Sequence, residues 1–285
     1  MRGMWRWPFG KTRRRAQWRR SPLDKRARAL FATRLRFWNA LTAEERDELQ
    51  GHAQVLLAEK NFEGAGGFSV DDETRWIVVA QAARLLLHRE TDYFPGVASI
   101  VVYPRAFRTP VRRALDGGAV LEDVEERVGE SWGWGTILLA RDEIEHSLGE
   151  GASDGYNVVL HEFAHALDRE NGLEDGMPAL PSADAERRWA RAFTPAYEAL
   201  CDAAERDPEP ATFLDPYGAE SPAEFFAVAV ESFFEASYGL REAEPGVYAA
   251  LVDYFRQDPA SARDRARLDG VTRVRRNLAR RPRAR

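Results

Sequence analysis

The chain has 285 residues, of which 44% are hydrophobic and 31% charged, so it is long and apolar enough to bury a sizeable core. Its single cysteine, Cys201, excludes a disulfide framework and a cysteine-based zinc site within the chain, and suits a reducing compartment such as the cytoplasm. The net charge of -5 conceals two basic ends, because arginines are concentrated in the first 36 residues and in residues 263–285.

The basic ends are typical of solvated, arginine-rich termini. We therefore expect a flexible arm over residues 1–22, a single domain over residues 23–262, and an arginine-rich tail over residues 263–285. Such charge also allows contact with nucleic acid or anionic lipid, which we favour less. No apolar run follows the first charges as in a signal peptide, and no stretch of about 18 apolar residues predicts a membrane span.

The first part of the domain, to about residue 95, is predicted to be helical and to serve as scaffold. Apolar spacing predicts a helix over residues 23–39. Thr42 and Glu45 form a capping box that opens the next helix. The acidic residues 71–73 open another helix with an apolar run wide enough to be buried on most sides.

The second part of the domain, about residues 96–262, is where we expect the chemistry of the chain to lie, and it begins with a small predicted sheet. The β-branched run Ser99–Tyr103 predicts a buried strand, and the charged residues 105–130 are predicted to be loop. A second strand follows, and over Trp134–Leu138 we place an edge strand, whose open side would be available to pair with an extended peptide by β-augmentation. An ordinary sheet strand is the alternative there. Residues 141–148 are predicted to form a short helix.

Residues 157–168 contain a His-Glu-x-x-His motif formed by His161, Glu162 and His165. Positions four apart share a helix face, so the two imidazoles can bind one zinc ion, with Glu162 as general base beside a metal-bound water. The alternative is a pair of hydrogen-bonded core histidines, because the motif is short and occurs in unrelated proteins. Asp154 is a candidate cap for this helix, and Asn171-Gly172 is a stop signal.

A catalytic zinc site needs a third protein ligand. The short zinc-protease extension requires glycine at position 168 and histidine at 171, where this chain has Asp168 and Asn171. A glutamate from a later helix remains. The helix beginning at Ser221-Pro222 offers Glu224, which is either the third-position residue of a capping box or a zinc ligand.

A second carboxylate strengthens the ligand interpretation of Glu224. Glu231 lies seven residues later, two turns along the same face of a helix that is predicted to be buried. Two buried carboxylates need cationic or metal partners. A helix antiparallel to the motif helix would place Glu224 at the zinc and Glu231 at the outer N–H of a zinc histidine. Asp168 is predicted to serve a similar second-shell role or to cap locally.

Together, residues 157–168, Tyr217 and residues 223–228 resemble the Mlc titration factor A family of bacterial zinc metallopeptidases. The core is also similar to the catalytic domain of anthrax lethal factor. We place the resemblance from about Leu41 through Pro259, with both basic ends outside it. It implies a mainly helical α+β fold with a zincin-like (gluzincin) core, a small sheet and an N-terminal helical region.

The resemblance also implies a site and a function. One zinc ion (Zn2+) per chain would be held by His161, His165 and Glu224, while Glu162 activates the water and Tyr217 assists the transition state. The implied activity is hydrolysis of a peptide or protein substrate, with aminopeptidase action as one form. The alternative is a regulator-binding protein that sequesters a transcriptional repressor, with the zinc site secondary.

Overall fold

The computed structural model describes residues 9–105, 107–114, 120–127, 129–131, 135–148, 155–207 and 210–261. Within these residues the chain forms α1 (Phe9–Arg19), α2 (Lys25–Arg34), α3 (Ala43–Glu59), β1 (Asn61–Gly64), α4 (Asp72–Arg84), β2 (Ser99–Tyr103), β3 (Phe107–Ala114), β4 (Val120–Arg127), β5 (Gly129–Ser131), β6 (Thr136–Ala140), α5 (Arg141–His146), α6 (Val158–Asp168), α7 (Ala183–Arg206), α8 (Pro222–Glu235), α9 (Ser237–Ala243) and α10 (Pro245–Phe255). Short 3-10 helices span Arg36–Ala40, Arg169–Asn171 and Pro216–Ala219. The predicted α+β, mainly helical class is confirmed.

The hydrophobic core draws side chains from helices at both ends of the described chain. Phe31 of α2 and Phe255 of α10 are both fully buried. The motif helix α6 joins this core through Phe163, whose ring meets that of Phe94 edge to face, with centroids 4.7 Å apart. The core therefore fixes the face of α6 that carries Phe163.

The main sheet has the strand order β1-β2-β6-β5. Strands β1, β2 and β6 are parallel, and β5 runs antiparallel to β6. The strand predicted over Ser99–Tyr103 is confirmed. The predicted loop over residues 105–130 is wrong, because β3 and β4 form an antiparallel pair from Phe107↔Arg127 to Ala114↔Val120. The prediction relied on apolar runs, whereas backbone pairing between two charged segments leaves no such signal.

The edge strand predicted over Trp134–Leu138 is also wrong in its described part. Strand β6 lies inside the sheet, where Leu138 is the register partner of Val101 on one side and of Glu130 on the other. The short strand β5, which the sequence did not predict, occupies the side that the prediction left open. Trp134 lies outside the described residues.

The flexible arm predicted over residues 1–22 is wrong for residues 9–19, which form α1. Arg15 binds both carboxylate oxygens of Glu59, at 2.7 and 2.8 Å, and its guanidinium lies 4.6 Å from the centroid of the Tyr93 ring. These partners are distant in sequence, so the charge run alone could not reveal them. Residues 1–8 and the predicted tail over 263–285 lie outside the described residues.

Predictions that rest on short sequence patterns agree with the structure at two helices. The capping box of Thr42 and Glu45 is present with both of its hydrogen bonds. The helix predicted over residues 23–39 divides into α2 and the 3-10 helix that follows it. No helix among the described residues has the length and apolar character needed to cross a bilayer.

Candidate metal centre

Helix α6 is held at its first turn by Asn157, whose side-chain oxygen accepts a hydrogen bond from the Leu160 N–H at 3.2 Å. This is an N-cap bond, and it satisfies a backbone donor that the helix itself leaves unpaired. The candidate cap Asp154 lies outside the described residues. Beyond α6, the chain turns at Gly172, which has a φ of +90°, as the predicted stop signal requires.

Helix α8 is capped as predicted, because the Ser221 hydroxyl accepts a hydrogen bond from the Glu224 N–H at 3.1 Å. The Glu224 side chain does not close a capping box; its carboxylate lies against the histidines of α6. Asn157 at the start of α6 bonds to Glu231 towards the end of α8, whereas His165 towards the end of α6 lies against Glu224 at the start of α8. The contacts run in opposite sequence order, so the two helices are antiparallel.

Three side-chain atoms converge between these helices. The His161 Nε2 atom lies 3.2 Å from the His165 Nε2 atom and 3.0 Å from the Glu224 Oε2 atom. The His165 Nε2 atom lies 3.3 Å from the same Glu224 oxygen. Among the described residues, these three are the only His, Cys, Asp or Glu side chains grouped closely enough to hold a metal ion.

The spacing of these atoms fits a tetrahedral cation. Zinc bonds of about 2.0–2.1 Å in tetrahedral geometry place neighbouring ligand atoms roughly 3.3 Å apart. The separations of 3.0–3.3 Å around the Glu224 oxygen match that edge length. The same oxygen is buried and has no hydrogen bond with donor geometry among the described residues. The His161 and His165 Nε2 atoms therefore surround the same small space as this oxygen. A buried carboxylate oxygen without a hydrogen bond is stabilised by a cation.

The far side of the His161 ring is fixed by Glu231. The His161 Nδ1 atom lies 2.7 Å from the Glu231 Oε1 atom, so Nδ1–H donates to this carboxylate. A ring that carries its proton on Nδ1 presents a lone pair on Nε2, towards the cluster. Glu231 thus has the geometry of the carboxylate that orients a metal-binding histidine.

Asp168 lies at the end of α6 and binds the loop that leads to α7. Its Oδ2 atom accepts a hydrogen bond from the Gly176 N–H at 2.9 Å, and the side chain is fully buried. Gly176 has a φ of +78°, and a Cβ atom there would lie 2.2 Å from the Pro222 carbonyl oxygen. Only glycine fits this approach, so Asp168 helps to join the end of α6 to the start of α8. Its predicted second-shell role stays a prediction.

The remaining predicted residues flank the cluster. Glu162 is 4% exposed on α6, next to His161 in sequence. Tyr217 lies in the 3-10 helix Pro216–Ala219 and is 47% exposed, with its ring centroid 6.1 Å from that of His161. The structure therefore brings together one buried carboxylate and one accessible phenol beside the converging ligand atoms.

The electrostatics of the cluster favour a cation. Burial raises the pKa of Glu224, but His161 and His165 outweigh it and hold this pKa well below its usual range. Burial lowers the pKa of His161, whereas Glu231 and Glu224 raise it well above the ordinary value. Burial raises the pKa of Glu162, against the opposing effect of the two histidines. Positive charge between the two helices is thus strongly stabilised by the surrounding carboxylates.

Three residues of the site were missed by sequence reasoning. Asn157 could have been found, because an asparagine directly before the apolar motif helix is a strong N-cap signal. Glu174, whose Oε1 atom lies 3.8 Å from the His165 Nδ1 atom, had no local pattern. Gln81 contacts Asn157 from 76 residues earlier in the chain, and only the tertiary structure reveals that pair.

Comparison with known proteins shows a family match and several relatives. Residues 9–256 match the model of the glucose-regulated metallopeptidase family M90, so α1 lies inside the matched region although the resemblance was placed from Leu41. The chain is 35% identical to an uncharacterized protein of Synechocystis sp. over 257 residues, 90% of this chain and 92% of the other. It is 29% identical to Mlc titration factor A of Salmonella gallinarum and of Salmonella typhimurium over 221 residues, 77% of this chain and 82% of theirs.

Proposed function

This chain belongs to the glucose-regulated metallopeptidase family M90, and from that premise we propose that it is a zinc-dependent peptidase. The observation that carries the proposal is the convergence of His161, His165 and Glu224 at separations that fit tetrahedral zinc. In this proposal the three residues would hold one zinc ion. The Glu231 carboxylate orients His161.

Bound zinc would supply Lewis-acid polarisation of the scissile carbonyl and a lowered pKa for the attacking water. The chain supplies the proton transfers. Glu162 takes the proton from the attacking water and later gives it to the leaving amine, as a general base and then a general acid. Burial of Glu162 supports the first of these steps, because a raised carboxyl pKa makes Glu162 a stronger base towards the proton of the attacking water.

In this proposal Tyr217 stabilises negative charge on the substrate. Its ring lies beside His161 on the accessible side of the cluster. We propose that its hydroxyl donates a hydrogen bond to the oxyanion that forms as the peptide carbonyl becomes tetrahedral. The 3-10 helix that carries it is capped by Asp215, whose carboxylate accepts a hydrogen bond from the Tyr217 N–H at 2.9 Å.

Substitution of Tyr217 by phenylalanine should lower kcat about 100–1000-fold, the typical effect of losing one oxyanion donor. KM should change only a few-fold, because the lost hydrogen bond forms in the transition state. Steady-state kinetics on a cleaved peptide measure both constants. Tyr238→Phe is a matched control, because Tyr238 is a similarly exposed tyrosine on α9. A kcat for Tyr217→Phe equal to that of the control would remove Tyr217 from the mechanism.

The activity itself is tested by metal analysis and by incubation of the zinc-loaded protein with a library of unstructured peptides. We expect one zinc ion per chain and cleavage that stops on chelation and returns with zinc. Peptides with free and acetylated N-termini distinguish aminopeptidase from internal cleavage. Stoichiometric zinc without cleavage of any library member would contradict the peptidase proposal.

A second function is favoured by the relatives named Mlc titration factor A. That name describes a protein that titrates Mlc, and for this chain we propose binding of a transcriptional repressor as the alternative. Retention of an Mlc-type repressor by the immobilised protein, equally with and without zinc, would support it. Peptide cleavage without any such retention would contradict repressor binding and support only the peptidase function.

A further inference from the structure

The Glu231 carboxylate is held from two sides. Its Oε1 atom accepts from the His161 Nδ1–H, and its Oε2 atom accepts from the Asn157 N–H at 2.5 Å. The contact with Asn157 is buried, and the contact with His161 is largely buried. The backbone position of Asn157 therefore decides where Glu231 sits, and Glu231 in turn decides how the His161 ring is turned.

The Asn157 side chain is itself fully engaged. Its oxygen accepts from the Leu160 N–H, so its amide nitrogen must point the other way, towards acceptors. Those acceptors are the Gln81 Oε1 atom, in close contact, and the Glu235 Oε1 atom at 3.3 Å. The cap bond thus fixes the orientation of both amides, and Gln81 must present its oxygen to Asn157.

Gln81 lies on helix α4, which is tied to the end of α8. It is 1% exposed on α4, one turn before Arg84. The Arg84 guanidinium donates to the Glu235 carboxylate at 2.9 Å and to the Phe234 carbonyl at 3.0 Å, which ties α4 to the end of α8. Helix α4 thereby meets both helices of the metal centre at one buried point.

We propose that Gln81 is a positioning residue for the metal centre, acting through Asn157 and Glu231 on His161. The inference rests on the proposed zinc site and adds to it a part of α4 that touches no metal ligand. Loss of the Gln81 oxygen would leave the two N–H groups of the buried Asn157 amide with the Glu235 Oε1 atom, at 3.3 Å, as their shared acceptor, and an unsatisfied buried donor is costly. Asn157 would then shift, and the Glu231–His161 contact would loosen with it.

The test compares zinc affinity in the full-length chain and its variants. Gln81→Met removes the acceptor at nearly constant size. Gln50→Met is the matched control, because Gln50 is also a buried helical glutamine, and its hydrogen bonds within the described part of the chain go to Arg46 and Asp47 of its own helix. Asn157→Ser keeps a capping oxygen and the backbone N–H while it breaks the same link, so it serves where Gln81→Met folds poorly.

Three quantities are to be measured for each variant. They are the zinc Kd, by competition with a chromophoric chelator; the visible spectrum of the cobalt-substituted protein; and the Tm of the metal-free form. The zinc Kd should rise about tenfold in Gln81→Met and in Asn157→Ser, at the lower end of the effect typical of outer-shell partners. The cobalt spectrum should change in these two variants. Gln50→Met should keep the wild-type Kd and spectrum even where its Tm falls as far.

Two failures are distinguishable. A wild-type chain that binds no zinc would overturn the proposed function. A wild-type chain that binds zinc, with Gln81→Met and Asn157→Ser both within twofold of its Kd, would overturn only the positioning role of Gln81. An equal rise in Kd for Gln50→Met would do the same, because the effect would then be one of general stability.

Discussion

Substitution of Glu162 by glutamine should abolish most peptide hydrolysis while the chain keeps its zinc. Glutamine has the same shape as glutamate but cannot take a proton, and general acid–base catalysis is typically worth about 100–10,000-fold. We therefore expect kcat/KM to fall by about 1000-fold or more. Zinc should stay near one ion per chain, because Glu162 is not among the converging ligand atoms. Metal analysis and peptide kinetics on the same sample measure both outcomes.

The control for Glu162→Gln is Glu186→Gln, the same chemical change at an exposed position of α7. It should keep both zinc and activity. Full activity of Glu162→Gln with zinc bound would exclude Glu162 as the general base. Loss of zinc in that variant would mean that Glu162 supports the ligands, and the mechanism would need another base.

Replacement of Glu224 by alanine should remove zinc. This change deletes one of three converging ligand atoms, so we expect zinc affinity to fall by more than the roughly 10–100-fold typical of outer-shell partners. The metal-free variant should be less stable than the metal-free wild type, because it loses the contacts of the Glu224 carboxylate with His161 and His165, and zinc should no longer raise its Tm. Metal analysis after dialysis and thermal unfolding with and without zinc test the two statements.

The alternative role of Glu224 is tested by Ser221→Ala. The helix cap is made by the Ser221 hydroxyl and the Glu224 backbone N–H, so Glu224→Ala leaves it intact. Ser221→Ala removes the cap at a cost of about 1 kcal/mol and should leave zinc bound. If Glu224→Ala kept zinc with wild-type affinity, Glu224 would not be a ligand, and the site would have only its two histidines.

More of the candidate site than of the sheet could be predicted from the sequence, because the site residues follow helix periodicity over short stretches of chain. His161 and His165 lie one turn apart, and Glu224 and Glu231 lie two turns apart, so each pair is fixed by helix periodicity alone. A buried helix that carries two carboxylates also implies partners of opposite charge. These arguments predicted two facing helices, and the structure places the four side chains together.

The errors fall where a local pattern was absent or ambiguous. Helix α1 was taken for a flexible arm because its arginines suggested solvent, whereas Arg15 binds Glu59 and covers Tyr93. Strand β5 was not predicted at all, and its pairing with β6 removed the expected substrate-binding edge. Pairing partners and ion pairs of this kind are chosen by the packing of distant segments, which leaves no periodic trace in the chain.

The sequence by itself determined the chemical content of this protein: two histidines and a glutamate on one helix, two carboxylates on another, and a tyrosine before them. Helix geometry dictates those placements residue by residue. Only the tertiary structure decided that the Glu224 carboxylate turns to the histidines instead of closing its capping box. It alone decided that Gln81 and Asn157 meet behind Glu231. Such contacts depend on how helices far apart in sequence pack, because burial of the whole core sets their approach.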